Sequence, residues 1–355
     1  MTPPAGAPMT VGLAGLGGMG GAFLRRLATP RAALRGLRLD WVFEPDPDLL
    51  AAPALTLPGS AAAFHTIDAA LDAPVDLLID CTSSHARLAI TAEALFRGRH
   101  VLCAPPLARD SDSAARIAGI AARAEGWLAV AQTWRFEPGL RQLRRLVRDG
   151  TLGAPQGLSV LVPAGSRPAG PPRRGLHALL RDPGAHAFDA ARAVLGSDAS
   201  GVSCSADAPD GARAHFEMTC GTLFTFDCGR ADPAAHPCGC WRLTFERGTA
   251  RWDGTGPAAA WANADPGGNC ADPSIPLPLP DTDDALLACL DDVVAAIRTG
   301  ARPETRVRDN ACSLAMLLAA LDSAETGGRR VPVADLAHAG DVTDRRPRRA
   351  HIGGA

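Results

Sequence analysis

Two stretches of this chain carry residues whose types and spacing can do chemistry. The first is Val11 to Gly20, where Gly15, Gly17 and Gly20 follow the spacing G-x-G-x-x-G behind a short apolar run. The three glycines serve, in order, a tight turn, close backbone approach to a pyrophosphate, and close packing of helix on strand. The helix starting behind them offers free N–H groups and a partial positive charge to an anion, so Gly18 and Met19 belong to the same loop. Glu44 ends the next apolar run, Leu37–Phe43, 24 residues after Gly20, where a carboxylate accepts from an adenosine ribose. Pro45 and Asp46 follow it, with no arginine there for a 2′-phosphate, so the cofactor expected is NAD rather than NADP. The second stretch is Asp182-Pro-Gly-Ala-His186. Pro183 suits a first helical position and Asp182 an N-cap, which puts carboxylate and imidazole near one helix start. The carboxylate favours a protonated ring and the helix N-terminus disfavours it. On these residues alone a proton-transferring pair and a cap beside a core histidine both stand.

Weaker candidates surround these. Thr82-Ser-Ser-His85 follows the apolar strand Val75–Cys81, and open parallel sheets bind ligands at such carboxyl ends, so Thr82 and His85 are candidate cofactor contacts. A loop histidine satisfied by its neighbours is the other reading of His85. His236, Cys238 and Cys240, with Cys228 nearby, have the ligand types for zinc. One Cys-x-Cys without a second spaced pair is not the usual structural arrangement, and no metal is expected. Asp189 and Arg192 read as a structural pair one turn beyond His186. Arg167, Arg173 and Arg174 lie in a Pro/Gly-rich stretch, Pro163–Gly175, placed to contact an anionic group or simply to be solvated.

Composition narrows the partners. A net charge of −2 and a pI near 6.5 argue against nucleic acid and anionic membrane as the main partner. No apolar run reaches the ~20 residues that span a bilayer, and Met1–Met9 lacks the plan of a signal peptide. The ten cysteines then read as reduced thiols of a cytoplasmic protein, with Cys81 and Cys103 as small core residues. The chain contains no lysine and no tyrosine, so neither an ammonium side chain nor a phenol is there to give up a proton. A GC-rich coding bias is the expected origin of this composition, which the gene's codon usage would test.

The elements that must position these residues fall into two kinds. Residues 10–130 alternate strand and helix signals, as in a doubly wound parallel sheet. Beyond 153, short runs rich in Val, Thr, Phe and Trp are separated by Gly/Pro/Asp turns and read as an antiparallel, meander-like sheet. Helical spacing returns over 283–299 and 308–325. The expected organisation is α/β: a Rossmann domain over 1–132, an α+β domain with an open, mostly antiparallel sheet over 133–335, and a disordered tail over 336–355.

From Gly98 the order of motifs becomes specific. The chain resembles the Gfo/Idh/MocA oxidoreductases in the turn-and-strand Gly98–Leu107, in Trp134-Arg-Phe-Glu-Pro138, in Leu146–Gly153, in Asp182–Asp189 and in Leu290–Ala320. The resemblance covers roughly residues 10–335. It implies NAD-dependent hydride transfer, with Asp182 and His186 at the positions of the family's catalytic Asp and His, Pro106 beside the cofactor, and a homo-oligomer built through the second sheet. One departure is sharp. Where the family has Glu-Lys-Pro this chain has Ala104-Pro105-Pro106, so the lysine that holds and protonates substrate oxygen is Pro105. A missing acid in ketone reduction forfeits roughly 10²–10⁴-fold. A C=N substrate needs less help, and the thiazoline-reducing members also lack the lysine. The expected reaction is therefore hydride transfer to or from a small C=N or C=O/secondary-alcohol substrate, with His186 carrying the proton. The rival is a cofactor-binding regulator or partner subunit without catalysis.

Overall fold

The computed structural model describes residues 7–52, 56–163, 176–205, 211–229, 236, 238–263, 274–275, 277 and 284–336. The chain divides into two compact units, Met1–Ala131 with Leu290–Ala311 and Leu336–Ala355, and Gln132–Cys289 with Cys312–Asp335.

The first unit alternates strand and helix: β1 (Met9–Ala14), α1 (Gly18–Leu27), α2 (Pro30–Leu34), β2 (Leu37–Phe43), α3 (Pro47–Leu50), β3 (Ala62–Phe64), α4 (Ile67–Asp72), β4 (Leu77–Asp80), α5 (Ser84–Phe96), β5 (His100–Cys103), α6 (Ser111–Ala121) and β6 (Leu128–Val130). The strands form one sheet in the order β3-β2-β1-β4-β5-β6, every pair parallel. Strands buried on both faces must be apolar throughout, and Leu77-Leu-Ile-Asp80 and His100-Val-Leu-Cys103 are fully buried. The order reverses between β1 and β4, which makes their carboxyl ends the switch point where such sheets take a ligand. The expected strand Val75–Cys81 is thus shortened, with Cys81 past its end and only partly buried.

The second unit opens with a 3₁₀ turn, Thr133–Phe136, then α7 (Pro138–Asp149), β7 (Pro155–Pro163), α8 (Leu176–Leu179), a wide π turn over Leu180–Gly184, and α9 (Ala185–Leu195). Next come β8 (Ala199–Ser205), β9 (Ala212–Met218), β10 (Leu223–Gly229), β11 (Cys240–Phe245), β12 (Gly248–Trp252), β13 (Ala259–Ala262) and β14 (Ser274–Ile275). The described chain ends with α10 (Ala285–Thr299), α11 (Val307–Glu325) and β15 (Val331–Pro332). The sheet order is β14-β13-β12-β11-β7-β10-β9-β8-β15. It is mostly antiparallel as expected, but it is not a meander: β7 sits in the middle and runs parallel to β10. Strands such as β9 alternate buried and exposed residues, so one face is apolar. The aromatic ring of Phe188 on α9 packs against Phe216 at 4.7 Å and Phe226 at 5.1 Å, edge to face. Every residue of α9 is buried, and its alanines let it lie that close. The expectations for Arg167, Arg173, Arg174 and all but the first residue of the tail 336–355 fall outside the described residues.

Candidate functional site

The glycine turn closes the carboxyl end of β1. Gly15 has φ +83°, and a methyl group there would lie 2.8 Å from the Cys81 carbonyl. A methyl at Gly20 would lie 1.8 Å from the Gly15 carbonyl oxygen, so only glycine lets α1 start this close to the strand. Gly17 is the opposite case: a methyl there meets nothing within 4 Å. The open space lies before the N-terminus of α1, whose N-cap Gly17 has no side-chain cap and whose first turn carries no acid. The first bond of the helix is Gly21 N–H to the Gly17 carbonyl, 2.8 Å, so the N–H groups of Gly18, Met19 and Gly20 precede it. A pyrophosphate fits this cradle in shape and charge.

Glu44 follows β2 and is buried. Its carboxylate accepts from Leu16 N–H at 2.7 Å and from Asp46 N–H at 3.2 Å. The acid is therefore tied to the glycine turn itself, with acceptor capacity left on each oxygen for a ribose hydroxyl. Thr82 is buried and turned inward, its hydroxyl donating to Asp80 at 2.6 Å. His85 is not in a loop: it lies in the first turn of α5 and is exposed. The Pro105–Pro106 peptide is cis, and the Pro106 carbonyl accepts from Arg87 at 2.9 Å. Burial pushes the Cys103 thiol up to about 12 and raises that of Cys81, so both are inert at neutral pH.

In the second unit the expected helix start at Asp182 is replaced by something else. Leu176 to Leu195 winds on continuously, and Asp182 and Pro183 sit inside the π turn. Proline has no N–H to place in a helix interior, and the widened turn takes the misfit. Asp182 is thus no N-cap, and the helix terminus that was to oppose a charged ring is several residues upstream. His186 stands one residue into α9, buried, and stacked on Trp134 with ring centroids 5.4 Å apart and planes 19° from parallel. Its Nδ1 is buried with no hydrogen-bond partner among the described residues. Burial lowers the imidazole from its usual 6.5 and outweighs the carboxylates of Asp182 and Asp189, which act to raise it. The ring is neutral at pH 7, where the sequence left its charge open.

Beneath it lies a buried polar network that replaces the expected Asp189–Arg192 pair. Arg135 grips Asp189 through two bonds, 2.5 and 2.7 Å, and Ser313 donates to the same carboxylate at 2.6 Å. Arg192 turns instead to Asp198, at 2.7 Å, and to the Ser313 hydroxyl, at 2.9 Å. Arg135 and Trp134 share one 3₁₀ turn, so the ion pair also seats the indole on which His186 stacks. The Trp-Arg pair in Trp134-Arg-Phe was the available signal for both; the charged Asp80 at the end of a wholly buried strand was the signal for Arg87. His236 Nδ1 accepts from Cys238 N–H at 3.2 Å, and the Cys238 thiol points to Glu137 at 3.6 Å. Among the described residues no three His, Cys, Asp or Glu side chains gather as a metal site.

Comparison with known proteins matches both units. Residues 15–130 match the NAD-binding domain of homoserine dehydrogenase, and residues 140–251 the Gfo/Idh/MocA C-terminal domain. Inositol 2-dehydrogenase 2 of Saccharopolyspora erythraea is 27% identical over 54% of this chain and 55% of its own length. The chain spans about half the length of the curated relatives it matches. Among solved structures, an Agrobacterium radiobacter oxidoreductase in complex with NAD+, L-tartaric acid and magnesium superposes with TM-score 0.74 at 17% identity, covering 92% of this chain and 99% of its own. A putative myo-inositol dehydrogenase from Sinorhizobium meliloti gives TM-score 0.72 at 20% identity, covering 92% of this chain and all of its own. These structural likenesses carry the fold. The glycine cradle thus falls within the NAD-binding match, and His186 and Asp182 fall within the match to the Gfo/Idh/MocA C-terminal domain.

Proposed function

We propose that this chain is an NAD-dependent dehydrogenase that oxidises a secondary alcohol of a small polyol. The observation that carries the reading is His186: buried, neutral, and with Nδ1 unengaged among the described residues. A neutral imidazole is the form that accepts a proton. As the carbinol hydrogen leaves as hydride, the hydroxyl proton goes to His186, and the alcohol becomes a ketone. The dinucleotide, when bound, supplies the hydride acceptor; Gly15 to Gly20 would hold its pyrophosphate and Glu44 its adenosine ribose. Asp182 and Asp189 stabilise the imidazolium once it forms. NAD is favoured over NADP because a 2′-phosphate would meet the Glu44 carboxylate. The inositol dehydrogenases among the relatives support a polyol. Reduction of a C=N bond is the second reading, favoured by Pro105 at the family's lysine position, because an iminium brings its own proton.

Homo-oligomerisation through the outward face of the second sheet belongs to the same reading, supported by Leu161, Leu223 and Trp261, which are 50%, 50% and 38% exposed there. The test is oxidation of a polyol panel with NAD by the wild type and by His186→Ala. The variant loses at least ~10²-fold in kcat while its NADH affinity stays near that of the wild type. Turnover unchanged in the variant refutes the base. NADH binding without turnover of any polyol or imine points to the regulator instead.

A further inference from the structure

The carboxyl edge of the parallel sheet holds a charge that the reaction above does not use. Arg87, in α5, is 8% exposed. Its Nη1 donates to the Pro106 carbonyl at 2.9 Å and its Nη2 to the Thr82 carbonyl at 2.6 Å. Thr82 lies past β4 and Pro106 past β5, and those strands are neighbours. One guanidinium therefore ties together the turns that leave two adjacent strands. Thr82 is fixed a second time, because its N–H and hydroxyl both donate to Asp80 Oδ1, at 3.1 and 2.6 Å. Thr91, four residues beyond Arg87 on the same helix, donates to Asp80 Oδ2 at 2.9 Å. The braced turn is also the wall behind the cradle: a methyl at Gly15 would lie 2.9 Å from Thr82 N.

Topology says which half of the ligand this edge meets. The pyrophosphate site follows β1, and Glu44 draws the adenosine toward β2 on one side. The other half of an extended dinucleotide then lies toward β4 and β5 on the other side. A buried guanidinium whose Nη1 and Nη2 each donate to a main-chain carbonyl, with Nε unpartnered among the described residues, fixes geometry, since losing the Thr82 bond leaves a buried carbonyl unsatisfied.

We propose that Arg87 is a positioning residue for the nicotinamide half of the dinucleotide, setting the separation of the Thr82 and Pro106 turns against which that half rests. The inference depends on the dinucleotide reading above. Its test uses the full chain with Arg87→Gln and Arg87→Lys, titrated with NADH and with ADP-ribose, which lacks the nicotinamide. Circular dichroism reports folding in parallel. Arg87→Lys keeps the positive charge near Asp80 but cannot reach both carbonyls in a planar fork, so it decides the matter if the glutamine variant does not fold. In folded variants NADH affinity falls about tenfold while ADP-ribose affinity stays within about threefold. A merely structural role would weaken both ligands alike, and that result, or NADH affinity unchanged in folded Arg87→Lys, overturns the proposal. A wild type that binds neither ligand overturns the dinucleotide reading and this inference with it.

Discussion

Gly17 and Gly20 stand three residues apart in one motif, yet alanine at each should fail in a different way. At Gly20 the added methyl lies 1.8 Å from the Gly15 carbonyl oxygen, where ordinary contact begins at 3.4 Å. Helix α1 must therefore back off from the turn by about 1.6 Å, the difference between those distances. The obstacle is backbone on one side and the Cys81 Cβ, at 3.2 Å, on another, so no side chain can swing aside. Overpacking of this kind costs about 1–3 kcal/mol of stability. The same shift moves the N–H groups of Gly18 and Met19 off a phosphate, so Gly20→Ala should lose stability and NADH affinity together. Gly17 has φ −62° and ψ 176°, a conformation alanine adopts freely, and its methyl meets nothing. Gly17→Ala should hold its stability or gain about 0.4–1 kcal/mol from a stiffer unfolded chain. Its methyl would nevertheless stand in the space proposed for the pyrophosphate, and NADH affinity should fall about 10- to 100-fold, or roughly 1.4–2.8 kcal/mol. Urea denaturation and NADH titration on the two variants separate these outcomes. Wild-type NADH affinity in Gly17→Ala would mean that no phosphate uses the space, and the cradle would lose its meaning.

Three further perturbations test other parts of the structure. Glu44→Ala removes both a ribose acceptor and the partner of Leu16 N–H, so NADH affinity should fall about tenfold and the preference over NADPH should narrow; tighter NADPH than NADH binding by the wild type would refute the assignment. Arg135→Met strands the wholly buried Asp189 carboxylate and should cost about 3–5 kcal/mol in urea denaturation, with Asp189→Asn in the same chain recovering part of it; a loss below about 1 kcal/mol would show that the pair is not isolated from water. Burial pushes His100 down to about 4, so the unfolded chain, with its usual 6.5, takes up this proton first on acidification. Stability from this group is complete above pH 6.5 and is lost as pH falls toward 4, by about 3 kcal/mol at most; His100→Asn should flatten that part of the stability–pH curve, and an unchanged slope would assign it elsewhere.

The elements legible in the sequence were those whose signal is local. Leu37–Phe43 is a strand with the limits of its apolar run, because burial is written into consecutive residues. The glycine turn was legible for the same reason: Gly15 and Gly20 answer to contacts within the motif or the adjoining strand end, and Gly17 to open space. The start of the helix at Asp182 was misread because Asp-Pro-Gly is good capping chemistry; only an upstream helix running into it makes it a wide turn. The parallel contact of β7 with β10 and the Arg135–Asp189–Ser313 cluster join residues 54 to 124 positions apart, which no window of sequence displays. The state of His186 was open because the opposing influences named from sequence were a carboxylate and a helix end. The influence that decides is burial, with Trp134 stacked on the ring, and burial is a property of the fold.

The missing lysine makes sense of that state. In a chain without lysine or tyrosine, arginines can hold geometry but cannot give up a proton near neutral pH. Arg87 illustrates the limit: it reaches the Pro106 carbonyl, next to the position where the family places its acid, and can only brace it. In the proposed oxidation proton transfer falls to an imidazole, and a base there has two requirements that pull against each other. It must be neutral before the hydroxyl proton moves and comfortable as a cation afterwards. Burial of His186 meets the first requirement. Asp182, Asp189 and the indole face of Trp134 meet the second, since carboxylates and an aromatic face both attract the imidazolium but leave the neutral ring nearly indifferent. Under the proposed function, pairing a desolvating shell with latent negative charge would let one histidine serve as the base while proline fills the place of the lysine that the resemblance implies.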